Sequence, residues 1–282
     1  MTAFRLLPPR DQQELQEQPY DYWVNPAGGR SAEFFSRSGA YLVRFPDQAD
    51  FEIAGESLAV SCALVPGEPQ ATAQTLFQNS IRPIIGNHKG ELNLHGSAVA
   101  IDNFAVAFLG QSRRGKTTLA GAFSKAGYPY LTEDVLQVRS SEDSFHLVPH
   151  RTELRVFPDS ASFLAGRGLS EDLGDVKIPF PASDSLPFCQ NTLPLSHIFI
   201  LGEGRCEAVH IAPIGQAEGI RQLLQQSFIL DVEDRVRLRS HFWRLGALAA
   251  KTPCFELDYP RAYHQLPLVI AAISRFVASG KN

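Results

Sequence analysis

Gly110-Gln111-Ser112-Arg113-Arg114-Gly115-Lys116-Thr117 fills every fixed position of the pattern G-x-x-x-x-G-K-[ST]. That spacing suits a polyphosphate. Loop N–H groups can wrap the phosphates, and the N-terminus of a following helix adds a favourable dipole. Lys116 brings a point charge to the β- and γ-phosphates, and Thr117 brings a hydroxyl to Mg²⁺. Thr118, next along, completes the candidate nucleotide-binding set. The flanks agree: FAVAFLG (104–110) reads as a hydrophobic strand, and the residues after Gly115 read as a helix stopping near Gly127. The loop implies binding of a nucleoside triphosphate. It does not specify a reaction, because switches, motors and kinases share it.

Two further features could add chemistry. Glu133-Asp134 ends an apolar stretch, YPYLTEDVLQV (128–138), which reads as one buried strand after the loop helix. An acid there can face the phosphates and hold Mg²⁺, and a second beside it can take the proton of an incoming hydroxyl. An exposed turn with two solvated carboxylates is the other reading. His95-Gly96 lies on LNLHGSAVAI (92–101), which Asp102-Asn103 joins to 104–110 with a hairpin signal. Pairing of those strands would bring His95 near the loop, although a lone histidine is more often structural than catalytic.

Taken in order, the block LHGSAVAIDNFAVAFLGQSRRGKTTLAGAFSKAGYPYLTEDVLQV resembles the catalytic core of HPr kinase/phosphorylase and its relatives, bacterial proteins that phosphorylate a serine on a protein or peptide. His95-Gly96, the loop from Gly110 to Thr117, Gly127 and Glu133-Asp134 carry the resemblance. It implies an α/β fold with a P-loop HPr-kinase-like core, and ATP and Mg²⁺ as cofactors. It makes Glu133 the acceptor of the serine proton, sets Thr117 and Asp134 on the metal, has His95 support the base, and places Arg155 in the active site. ELRVFPDS (153–160), LPLSHIFIL and TPCFELDYP resemble the shorter HPr-kinase-like proteins found beside lasso-peptide genes, so a lasso precursor peptide is the implied acceptor. Two positions depart from the family pattern. Glu133 stands where the family has Asp, and Arg113 where it has glycine. A left-handed backbone at Arg113 would cost on the order of 1 kcal/mol. A bifunctional kinase/phosphorylase and a non-catalytic nucleotide-binding regulator stay open as alternatives.

The chain that must position these groups has 282 residues, 44% of them apolar, enough for a sizeable core. Its net charge of −4 argues against nucleic-acid or anionic-membrane binding by bulk charge. No apolar run is long enough to span a membrane, and the first residues carry no secretory h-region. Cys62, Cys189, Cys206 and Cys254 are not spaced for a metal, which fits a reduced cytoplasmic setting. The expected partner is a peptide or small protein, with assembly into a homo-oligomer left open. Residues 1–22 read as a loose lead-in or short helix, 32–65 as strands, and 71–86 as a helix weakened by Pro83. These divide the chain into a small β-rich N-terminal region, 1–70, and a catalytic domain, 71–282. Prolines make the tract past 140 look irregular, and Arg167 and Lys177 within it read as solvated charges or phosphate contacts. The arginine-rich run 235–244 reads as an amphipathic helix.

Overall fold

Residues 4–25, 28–150, 153–166 and 177–280 are described in the computed structural model. The chain divides into two units, Met1–Gly90 with Phe228–Arg239, and Glu91–Ser227 with Ser240–Asn282.

In the first unit, β-branched and aromatic residues alternate with polar ones, the period of a strand with one face covered. The strands are β1 (Phe4–Leu6), β2 (Asp21–Val24), β3 (Arg30–Arg37), β4 (Ala40–Phe45), β5 (Ala49–Ala54) and β6 (Val60–Leu64). They order as β1-β6-β5-β4-β3-β2, with β1 parallel to β6 and the rest antiparallel. The lead-in thus contributes two strands where a loose or helical segment was expected. Phe4 explains the first, since its ring lies 4.9 Å from that of Phe77 and 6.0 Å from that of Phe51. Farther on, Arg44 meets the buried Asp50 with two bonds of 2.9 Å, and Gln12 donates to the same carboxylate at 2.9 Å. The expected helix forms as α1 (Gln70–Leu76), a π-helical turn (Phe77–Ile81) and α2 (Arg82–His88). Pro83 lacks an N–H and its ring crowds the carbonyl four residues back, and the widened turn before it absorbs both. These helices group with the first unit, whereas the sequence reading divides the chain at residue 70.

The second unit holds the phosphate-loop motif. Its hairpin is β7 (Leu92–Ile101) and β8 (Phe104–Leu109), turned by Asp102 and Asn103 with φ of 49° and 66°. Left-handed backbone at both central residues is what a two-residue hairpin turn requires. There follow α3 (Lys116–Lys125), β9 (Tyr130–Thr132), β10 (Val135–Ser140) and β11 (Phe145–Val148). The tract expected to be irregular contains β12 (Glu153–Val156), α4 (Pro158–Ala165) and β13 (Ile178–Pro181), with β12 and β13 paired. Arg167 lies outside the described residues. The remaining elements are β14 (Leu193–Leu201), β15 (His210–Pro213), α5 (Gln216–Gln225), α6 (Arg235–Lys251, counted in this unit from Ser240), β16 (Cys254–Asp258) and α7 (Leu266–Ser279).

The main sheet of this unit runs β11-β10-β7-β8-β14-β16-β15, with β8, β14 and β16 parallel. Alternate residues of β8 feed two cores. Val106 and Phe108 join Leu119 and Phe123 of α3 and Ile273 of α7. Ala105, Ala107 and Leu109 join Leu223 of α5 and Leu248 of α6. Helices therefore cover both sheet faces, as parallel strands need, and the architecture is mixed α/β. Among the described residues, no helix is long and apolar enough to cross a membrane.

Candidate functional site

The loop between β8 and α3 turns sharply because Gly110, Arg113 and Gly115 adopt φ of 140°, 63° and 87°. At Gly110 a Cβ would also sit 3.2 Å from the Leu201 carbonyl oxygen, a tight approach added to a φ that already favours glycine. Arg113, in its glycine-like place, takes a left-handed backbone. Its guanidinium lies over the Phe157 ring at 4.9 Å, while Arg114 is paired with Glu203 at 2.8 Å. Lys116 Nζ donates to the carbonyls of Gly110 at 2.7 Å and Gln111 at 3.0 Å. From β7, Ser97 Oγ donates to the Lys116 carbonyl at 2.8 Å and fixes the first turn of α3. Burial pushes the Lys116 ammonium down to about 8, with Asp134 pulling the other way.

The acidic pair breaks its strand. Asp134 has φ of 62°, and the Val135 N–H donates to the Glu133 carbonyl at 2.8 Å, closing a three-residue turn between β9 and β10. Thr132 Oγ1 steadies that turn by donating to the Val135 carbonyl at 2.8 Å. The turn separates the two carboxylates: Asp134 lines the cavity beside the loop, whereas Glu133 is 0% exposed and does not line it. Lys177 Nζ donates to Asp134 Oδ1 at 2.8 Å and stands 3.6 Å from Glu133 Oε2. Burial alone would raise the Asp134 carboxyl, but Lys177 above all reverses this and holds it well below the usual carboxylate range. Burial likewise works against the Lys177 ammonium, and Asp134 and Glu133 outweigh it, raising that pKa.

His95 owes its place to its neighbour. A Cβ on Gly96 would meet both Leu136 Cδ1 and the Phe108 carbonyl oxygen at 2.8 Å, so glycine lets β7 pack between β8 and β10. His95 Nδ1 lies 3.0 Å from the Asp134 carbonyl oxygen. A carbonyl only accepts, so Nδ1 carries the proton and Nε2 the lone pair. Burial, with the Lys116 charge next, lowers the His95 pKa to about 4, leaving the ring neutral at pH 7.

These groups meet at a cavity of about 540 Å³. Ser112, Arg113, Gly115, Lys116, Thr117 and Thr118 line it from the loop and α3, while Gly110, Gln111 and Arg114 do not. His95 of β7, Arg155 of β12 and Asp134 of the β9–β10 turn also line it. Sequence reasoning left out Phe157, Asp159 and Ser160, which also line it, although ELRVFPDS contains all three. Ser160 Oγ lies 2.7 Å from Thr118 Oγ1 and 3.2 Å from Tyr263 OH, and Tyr263 donates to Asp159 at 2.7 Å, so α4 is tied to α3. Lys177, weighed as a solvated charge, is instead held by the acids. Among the described residues there is no cluster of three His, Cys, Asp or Glu that could hold a metal. The donors present, Thr117 and Asp134, suit Mg²⁺, which keeps several waters and takes phosphate oxygens in place of a full protein cage.

No family model matches the chain, and no curated protein matches it. Among solved structures, the Hpr(Ser) kinase/phosphatase from Coxiella burnetii aligns at 9% identity over 67% of this chain and 99% of that one, with a TM-score of 0.36. A superposition that loose fixes neither fold nor chemistry, and the functional reading rests on the cavity's own residues.

Proposed function

We propose that the chain transfers the terminal phosphoryl group of ATP to a hydroxyl acceptor. One observation carries the reading: Lys116, Thr117 and Asp134 line a single cavity at the end of a sharply turned loop. Lys116 and the loop amides bind and orient the polyphosphate. Thr117 and Asp134 are the residues that would hold Mg²⁺, which when bound neutralises phosphate charge. Arg113 and Arg155 also line the cavity and add positive charge there.

In the transfer the bond from the γ-phosphorus to its bridging oxygen breaks, and the acceptor oxygen bonds to that phosphorus. The hydroxyl proton needs an acceptor. Glu133, the choice made from sequence, is fully enclosed, and an enclosed carboxylate cannot touch an incoming hydroxyl. In this proposal Asp134, kept ionised by Lys177, stays with the metal, and the hydroxyl proton passes to an oxygen of the transferred phosphoryl group. A loose phosphoryl transition state asks more for orientation than for a strong base, so no separate side-chain base is needed. His95 holds the Asp134 backbone in place through its Nδ1–H.

The acceptor we favour is a serine of a peptide or protein, a lasso precursor first, on the strength of the sequence resemblance. The test is incubation of the protein with γ-labelled ATP, Mg²⁺ and such a peptide. Label on a peptide serine, absent with Lys116→Ala, supports the reading. ATP binding with no transfer to any acceptor would favour the regulator, and release of label by added orthophosphate would favour the bifunctional enzyme.

A further inference from the structure

We infer that Lys177 is a second phosphate-facing cation, donating to the phosphoryl group in flight, in the reaction proposed above on which this inference rests. An ammonium has three N–H groups. Two of its neighbours are acids: Asp134 Oδ1 at 2.8 Å and Glu133 Oε2 at 3.6 Å. Asp134 takes one N–H in a hydrogen bond, Glu133 stands beyond hydrogen-bond reach as a second counter-charge, and an N–H remains to donate into the cavity, which Lys177 lines. Its side chain is 24% exposed while that of Glu133 is 0% exposed, so the ammonium stands between a closed acid and an open space.

The seating is rigid, because moving the ammonium away would leave two largely buried carboxylates without their counter-charge. A donor that is already in place costs no reorganisation when charge develops on the transferred group, and such donors act more on the transition state than on bound substrate. Phe157 reinforces the arrangement. Its ring has the Arg113 guanidinium at 4.9 Å and Lys177 Nζ at 6.0 Å from the centroid, so two cations from distant parts of the chain flank one aromatic at the cavity. The rival reading makes Lys177 a counter-ion for the acids and nothing more.

The two readings separate without knowledge of the acceptor. ADP affinity is measured with Mg²⁺, with and without fluoroaluminate, which mimics the planar phosphoryl group, for wild type, Lys177→Met and Glu133→Gln/Lys177→Met. The expected result for Lys177→Met is ADP affinity within about threefold of wild type, with about a hundred- to a thousandfold of the fluoroaluminate gain lost. The double variant removes one of the two acids together with their ammonium. It regains part of the melting temperature but not the gain, and it carries the test if the single variant fails to fold. A full gain in Lys177→Met, or its return in the double variant, overturns the inference. Wild type that binds no ADP would overturn the nucleotide reading itself, and is recognised because the loss is then not confined to the variants.

Discussion

A single methyl group at Gly96 should injure both the fold and the site. An ideal Cβ there lies 2.8 Å from Leu136 Cδ1 and 2.8 Å from the Phe108 carbonyl oxygen. Leu136 is 1% exposed and has little room to turn away. The Phe108 carbonyl belongs to β8, where Gly96 pairs opposite Leu109, so relief requires a shift of β7 itself. Overpacking of this kind costs about 1–3 kcal/mol, and a backbone clash puts Gly96→Ala near the upper end. At roughly 2–4 °C per kcal/mol for a domain of this size, the melting temperature should fall by roughly 6–12 °C. The shift also moves the residues on either side, His95 and Ser97, and Ser97 holds the first turn of α3 through the Lys116 carbonyl. ATP affinity should therefore fall with stability. Gly127→Ala is the control. Gly127 has φ of 95°, and among the described residues nothing lies within 4 Å of its Cβ position. That variant carries left-handed strain alone, about 1 kcal/mol. Thermal melts followed by circular dichroism compare the two. A Gly96→Ala melt no lower than that of Gly127→Ala would refute the packing argument.

Asp134→Asn should cut turnover by at least about a hundredfold and raise the Mg²⁺ requirement, while Glu133→Gln costs less and leaves ATP affinity nearly intact; the reverse ranking in steady-state kinetics would return the proton-accepting role to Glu133. Because the folded His95 pKa is lowered from 6.5 to about 4, the unfolded chain binds the proton more readily, so His95 costs stability as pH falls from 6.5 toward 4. His95 should show no NMR inflection near pH 6.5, and a titration there would contradict the lowered pKa. Lys116, lowered to about 8, loses its charge as pH rises through that value, so ATP affinity should drop between pH 7 and 9 instead of holding to pH 10. Arg113→Gly relieves about 1 kcal/mol of left-handed strain and gives up about 0.5–1 kcal/mol of contact with Phe157, so its melt stays within about 3 °C of wild type. Its turnover should fall about tenfold, and unchanged kinetics would show the guanidinium to be idle.

Features set by local chemistry were legible in the sequence. The loop motif, the Asp102-Asn103 hairpin and the α3 stop at Gly127 each depend on residues a few positions apart. The acidic pair was legible as a pair, but not which member faces the cavity. That choice is made by the left-handed turn at Asp134, and a strand pattern over 128–138 gives no sign of it. Lys177 was seen and discounted, because its partner Asp134 lies 43 positions earlier and only the tertiary fold brings them together. The lead-in was misread because its composition is polar, while one aromatic residue, Phe4, supplies the contacts that order the first strand. In the tract past 140, prolines masked α4, yet Pro158 sits in its first turn, where a missing N–H costs nothing.

The central claim is that the loop around Lys116 holds a nucleoside triphosphate. Titration calorimetry of ATP with Mg²⁺ into wild type and Lys116→Ala tests it most directly. Lys116 Nζ bonds two loop carbonyls, so melting curves are run alongside to confirm that the variant keeps its fold. The account predicts one-to-one binding by wild type and affinity at least about tenfold weaker in the variant, the loss of one charge-assisted phosphate contact. No binding by wild type, or equal binding by a folded variant, would contradict it.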